Sequence, residues 1–228
     1  MRGMSQRSRI LLLASLTTVV LVFALVVLLD GPPPRSSTSS AAAAARAVAE
    51  NAQASTGFDG ALLPRGVGAP DFTLTDQRGR RVSLGQYRGQ VAILTFLSST
   101  CHPTCPLIAQ QIRGALDEMS AHPVPVLIVS ANPTADTPAA VRRFLGEAAL
   151  DGRVEYLTGS PSELRAVWRA YDIVPSQLGD AESHAAAVLL IDRAGQKRDL
   201  FQVEQLTPEG LVHDIHKLEG NPGFPRAR

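Results

Sequence analysis

Cysteine is almost absent from this chain. Its 228 residues contain two, Cys101 and Cys105, too few to staple a scaffold with disulfides. A hydrophobic core must hold the fold instead, and 45% apolar residues are enough to build one. An excess of either charge is also missing: 22 basic and 21 acidic side chains leave a formal net charge of +1. With no basic stripe along the chain, nucleic acid is excluded as an expected partner. No cysteine precedes Cys101, which excludes a lipid-modified N-terminal cysteine as an anchor.

Charge disappears altogether from Ile10 to Leu29, which reads ILLLASLTTVVLVFALVVLL. About 20 apolar residues span a bilayer core of roughly 30 Å. The run has no polar face, which argues against a buried core helix. Arg2, Arg7 and Arg9 precede it and no basic residue follows at once. The positive-inside rule then predicts a cytoplasmic tail at 1–9, a single transmembrane anchor at 10–29 and an extracytoplasmic remainder. This places the protein in the cell membrane, its C-terminal domain on the periplasmic or outer face. A cleaved signal peptide is the alternative. The run exceeds the usual 7–15 apolar residues of a signal core, and Asp30-Gly-Pro-Pro-Pro34 stands in place of a small-residue cleavage site. Residues 30–61 are Pro-, Ser- and Ala-rich with few large apolar side chains, and read as a flexible tether.

The remaining segment, 62–228, carries the periodicities of a globular α/β domain. Asp71 to Leu84 alternates about Arg78-Gly79 as a β-hairpin. Val91–Leu97 and Val124–Val129 are continuous apolar runs, as expected of strands covered on both faces. Helices are predicted over Leu107–Met119, Ala139–Ala149, Pro161–Tyr171 and Pro208–Leu218, with Ser160 and Thr207 as N-caps of the last two. In the first helix Leu107, Ile108, Ile112, Leu116 and Met119 form the apolar set. A short strand at Val154–Leu157 and a second hairpin, Ala186–Asp192 with Lys197–Val203, complete the pattern. Strands alternating with helices, then a closing hairpin and helix, predict a mixed sheet flanked by helices. That order matches a thioredoxin-like fold with an extra N-terminal β-hairpin. Trp168 and Tyr171 are expected in the core. Asp136 is expected to cap the helix after it, with a hydrogen bond near the cysteine site as the alternative.

The chemistry concentrates after the first buried strand, at Ser98-Ser-Thr-Cys101-His102-Pro103-Thr104-Cys105-Pro106. If this turn is helical, cysteines four apart share one face above a helix N-terminus. Backbone N–H groups and the helix dipole there favour thiolate over thiol. A thiolate pair suits copper(I) or zinc. The same pair can form a disulfide, so redox chemistry stays open on spacing alone. His184 stands immediately before the apolar run that leads to Asp192. In thioredoxin-like folds the loop entering this strand packs on the cysteine turn, and redox members usually carry a cis-proline there. A neutral imidazole at that place completes a Cys101, Cys105, His184 site. His102 reads as an exposed loop histidine, with a fourth-ligand or thiolate-tuning role as the alternative. His122, His213 and His216 carry no functional signal beyond a one-face spacing of the last two.

In these features the chain resembles the Sco (SenC/PrrC) family of copper chaperones. The likeness covers about Gly68 to Glu219. It rests on the opening Ala69-Pro70-Asp71-Phe72-Thr73-Leu74, the strand and Cys-x-x-x-Cys-Pro turn, Asn132-Pro-Thr-Ala-Asp136-Thr137-Pro138, and the histidine before the penultimate strand. The resemblance implies a thioredoxin fold and copper held by Cys101, Cys105 and His184, as copper(I) with copper(II) as a second state. It implies a partner in the copper-receiving subunit of cytochrome c oxidase or another exported copper protein. The role would be metal delivery, reduction of the target's cysteines, or both. An extracytoplasmic thiol–disulfide oxidoreductase working through Cys101 and Cys105 is the competing reading, with no enzyme of ordinary kind implied otherwise. A peroxiredoxin-like peroxidase needs a proline upstream of its cysteine that this loop lacks.

The sequence departs from the family where Asn132 and Ser183 replace frequent aspartates, and where His102 lies between the cysteines. Both replacements remove negative charge near the presumed site. Restoring it with Asn132→Asp and Ser183→Asp is expected to tighten binding to an electropositive partner surface, read as a lower Kd by calorimetry. An unchanged Kd would remove this explanation.

Overall fold

In the computed structural model, residues 56–175 and 187–220 are described. The predicted membrane span at 10–29 and His184 both lie outside them. Among the described residues no helix is long and apolar enough to cross a membrane.

The elements run β1 (Ala61–Leu62), β2 (Thr73–Thr75), β3 (Arg81–Ser83), β4 (Ala92–Leu97), α1 (Thr104–Glu118), β5 (Val126–Ser130), α2 (Pro138–Glu147), β6 (Glu155–Leu157), α3 (Pro161–Ala170), β7 (Ala187–Ile191), β8 (Lys197–Gln202) and α4 (Pro208–Glu219). Single 3₁₀ turns follow β3 and β8. The main sheet has the order β1-β8-β7-β4-β5-β6. Strands β4, β5 and β6 are parallel, whereas β7, β8 and β1 add in antiparallel fashion. This is the expected mixed sheet flanked by helices, with β2 and β3 as the separate hairpin.

Every residue of β4 and β5 is buried. Both strands sit inside the sheet with paired edges, so their apolar runs need no polar face. Each fully buried Leu or Ile there contributes about 1.5–3 kcal/mol by leaving water. Helix α1 buries Ile108, Ile112 and Leu116, but Leu107 is 42% exposed. The apolar set spans more than one helical stripe, and the adjacent residue Ile108 takes the core position. Helices α1 and α4 approach closely at Gly114. A Cβ there would lie 2.7 Å from the Pro208 ring.

The smallest element, β1, is absent from the sequence reading. Two residues carry no periodicity, and Ala61–Leu62 is a strand only because it pairs with Leu200 and Asp199 of β8. Capping was more legible. Ser160 and Glu163 form a reciprocal capping box at α3, and the Thr207 side chain accepts from the Gly210 N–H at α4. Ser160→Ala should therefore cost about 1 kcal/mol, checked by urea denaturation. A loss below a few tenths would show that the box contributes nothing.

Candidate metal and redox site

Strand β4 delivers the chain to the candidate site at Leu97. Residues Ser98 to Pro103 form the loop, and α1 begins at Thr104 between the two cysteines. The turn is thus not helical from Cys101 onward. Pro103 serves as N-cap and offers no side-chain hydrogen bond. Pro106 occupies the third helical position, where an N–H has no intrahelical acceptor. The peptide between His102 and Pro103 is cis.

Cys101 and Cys105 are joined as a disulfide, with Cα atoms 5.7 Å apart. Cys105 is fully buried and Cys101 half-buried. The Cys105 N–H points at Cys101 Sγ, 3.2 Å away. A sulfur thus meets one of the N-terminal donors that a side-chain cap would otherwise satisfy. The Cys101 sulfur thus stands at the positive, N-terminal end of the α1 dipole. His102 is exposed.

His184 lies outside the described residues. Ala187, three residues later, begins β7. Strand β7 runs antiparallel to β4, so its first residue lies beside the last residues of β4: Thr95 Oγ1 donates to the Ala187 carbonyl at 2.9 Å, and Thr95 pairs with Val188. The segment enters the sheet at the end that carries the cysteine loop.

Asp136 has a different place from the expected cap. Thr137 caps α2, its hydroxyl accepting from the Ala140 N–H. The Asp136 carboxyl turns inward, 5% exposed, toward the loop that carries the cysteines. Its Oδ1 accepts from Ser99 N and Ser99 Oγ, both at 2.7 Å, and from Ser98 Oγ at 3.1 Å. Its Oδ2 accepts from Ser130 Oγ at 2.6 Å and Tyr156 OH at 2.9 Å. Burial and the adjacent Asp136 carboxyl push the Tyr156 phenol well above its ordinary value, so it remains a donor. Trp168 is half-buried, and its indole N–H bonds the Ser130 carbonyl at 3.0 Å. Tyr171 is buried, its hydroxyl donating to the Pro70 carbonyl at 2.7 Å.

A second polar cluster involves His213, for which the sequence carried little signal. His213 Nδ1 lies 2.8 Å from Asp214 Oδ1 and 3.1 Å from Asp59 Oδ2. Asp214 is fully buried and accepts the backbone N–H groups of Asp59 and Gly60. It therefore clamps the segment that leads into β1. Asp199 is fully buried beside it, and a Cβ on Gly60 would come within 2.5 Å of the Asp199 carboxyl. Asp199 Oδ1 accepts from the Leu200 N–H, whereas Oδ2 meets no N–H or O–H donor among the described residues. Burial first, and then the Asp214 carboxylate, pushes the Asp199 pKa up to about 9. Asp59, His213 and Asp214 also bring three ligand atoms within 4.8 Å of one another, but the hydrogen bonds already described account for that approach.

The model of the SCO1/SenC family matches residues 63–219. The chain is 30% identical over 167 residues to the mitochondrial SCO2 homologue of Bos taurus. That match covers 67% of this chain and 62% of the bovine protein, somewhat under two thirds of its length. Among solved structures, ScoI of Bradyrhizobium japonicum with copper bound is 27% identical with a TM-score of 0.52, covering 67% of this chain and 99% of that one. BsSco, a member of the Sco family of cytochrome c oxidase assembly proteins in which a disulfide switch was identified, shares the fold. It is 21% identical with a TM-score of 0.59, covering 68% and 95% of the two chains.

The Asp199 shift has a definite sign. Its folded pKa of about 9 exceeds the ordinary value of 3.8. The folded state therefore binds the extra proton between those values, and this contribution to stability is full below about 3.8 and lost as pH rises toward 9. In Asp199→Asn the side chain is neutral at every pH. The variant should be more stable than the parent near pH 9 by roughly 1–3 kcal/mol, the cost of one unsatisfied buried polar group. Parallel melting curves of the two proteins from pH 6 to 9, with equal slopes, would reject the raised Asp199 pKa.

Proposed function

The chain belongs to the SCO1/SenC family, and from that membership we propose that it is a membrane-anchored copper carrier. Copper(I) is its cargo, held by the thiolates of Cys101 and Cys105 and the imidazole of His184. Residues 10–29 anchor it, the N-terminus is cytoplasmic, and the domain works outside the cytoplasm. The copper is handed to the receiving subunit of cytochrome c oxidase during assembly, or to another exported copper protein.

The observation that carries this reading is the juxtaposition of the two sulfurs at the N-terminus of α1. Two soft thiolates with a borderline imidazole form a low-coordinate site that favours copper(I) over harder ions. The position of Ala187 supports the third ligand, since three residues reach about 10 Å at most. Copper is bound only by the reduced pair. Opening the disulfide takes two electrons and two protons and leaves two thiols, which lose their protons on binding metal.

The closed disulfide itself favours a second reading, in which the pair exchanges electrons with cysteines of an exported partner. Histidine distinguishes the two. His184→Ala should abolish tight copper binding and leave disulfide exchange by Cys101 and Cys105 largely intact.

Anaerobic titration of the reduced full-length protein in detergent, against a competing copper(I) chelator, should yield one tight equivalent. Cys101→Ser, Cys105→Ser and His184→Ala should each weaken it by more than about 100-fold, beyond the usual cost of losing an outer-shell partner. Affinity should fall in acid as His184 and the thiols take up protons. No tight site, or a Kd constant between about pH 5 and 8, would leave the oxidoreductase reading.

A further inference from the structure

Asp136 lies between the sheet and the cysteine loop, and its contacts run in one direction. Two of its donors, Ser130 and Tyr156, belong to β5 and β6. Ser98 and Ser99, which supply the other three, are the first two residues after β4. The loop then bonds to itself: the Ser98 carbonyl accepts the Cys101 N–H at 3.3 Å, and Ser98 Oγ accepts the Thr100 N–H at 3.3 Å. Asp136 to Ser98 to Cys101 is therefore a continuous hydrogen-bonded path. The far end is fixed as well. Trp168 holds the Ser130 carbonyl, and the Tyr156 hydroxyl lies 3.2 Å from the Leu97 carbonyl, the last of β4.

Five donors converging on one buried carboxyl exceed what helix capping requires, and Thr137 already performs the capping. Such networks are worth more than their separate pairs, and a buried donor stripped of its acceptor is costly. We propose that Asp136 is a positioning residue for Cys101 and Cys105, holding Ser98 to Thr100 so that the two sulfurs stay adjacent when the disulfide is open.

The two redox states differ in what holds the loop to α1. In the oxidised protein the S–S bond itself ties the loop to α1. In the reduced protein only non-covalent contacts keep one thiol beside the other. A pre-positioned dithiol recloses readily, because its effective concentration is high. It also binds copper without first paying to order its ligands. The inference rests on the reading of Cys101 and Cys105 as the working pair, and it extends that reading to the residue that frames them. The couple concerned is the disulfide plus two electrons and two protons against two thiols, poised experimentally with a dithiol buffer.

The test compares Asp136→Asn with Asp76→Asn in the full-length protein. Asp76 is equally buried but serves the β2–β3 turn, accepting from Arg78 N, Arg80 N and Arg80 Nε. It controls for lost stability at a distance from the cysteines. In Asp136→Asn the amide cannot accept from both Ser130 and Tyr156. Disulfide closure should become about tenfold less favourable, a rise of about 30 mV in reduction potential. Copper(I) binding should weaken about tenfold, as when an outer-shell partner is lost. Asp76→Asn should lower the Tm and change neither value by more than about twofold.

Equal shifts in both variants, or a folded Asp136→Asn with the parent's potential, would overturn the proposal and leave the copper reading intact. If the parent binds no copper(I) but the potential still rises in Asp136→Asn alone, the copper reading fails and the positioning role stands. Should Asp136→Asn not fold, Ser99→Ala removes one donor and keeps the backbone N–H. A smaller rise in potential is then expected, and no rise in a folded protein overturns the role.

Discussion

The fold is organised by the burial of β4, whose backbone and side chains are both fully used within the sheet. Its edges pair with β5 and β7, and each of its six residues is buried. A chain leaving such a strand emerges at the end of the sheet with its next polar groups still out of water. Ser98 and Ser99 are 5% and 6% exposed. Their N–H and hydroxyl groups need partners supplied by the protein. The cysteine loop is therefore bound to the sheet from its first residue.

Asp136 meets that need. It stands after β5, beside the end of β4, because the two strands are parallel and their C-terminal ends share one edge of the sheet. A parallel pair thus brings the loop that follows each strand to the same place. The antiparallel strand β7 brings its beginning there instead. The cysteine loop, the buried carboxyl and the first residue of β7, Ala187, therefore stand at one end of the sheet. The candidate site thus stands at the C-terminal ends of the parallel strands, as ligand sites do in other open α/β sheets.

The polar cluster on β8 and α4 has a different task. Asp214 takes up the N–H groups of Asp59 and Gly60, so the segment before β1 is fastened to the last helix. A second carboxyl, Asp199, is buried beside it, and burial and the Asp214 carboxyl push its pKa up, so that the neutral form is favoured. The domain consequently begins before Leu62. Asp59 and Gly60 look like tether by composition, and their membership in the fold depends on a partner 154 or 155 residues away.

Local pattern determined much of this protein. Apolar runs of strand length, helical spacing and caps at Ser160 and Thr207 are short-range signals, and the sheet and four helices follow them closely. The closeness of the two cysteines was also legible, because residues four apart beside a helix start lie near each other whether or not the turn is helical, and their Cα atoms are 5.7 Å apart. Tertiary structure decided what depends on contacts distant in sequence. Two residues became β1 through β8, and Leu107 faced solvent while Ile108 went inside. Asp136 gave up the helix cap to Thr137 and became the acceptor for three segments. The Asp199 carboxyl has a raised pKa because it is buried beside one 15 positions on. In each case the residue's type allows several roles with similar local energies. The choice among them is made by burial, which no short stretch of sequence encodes.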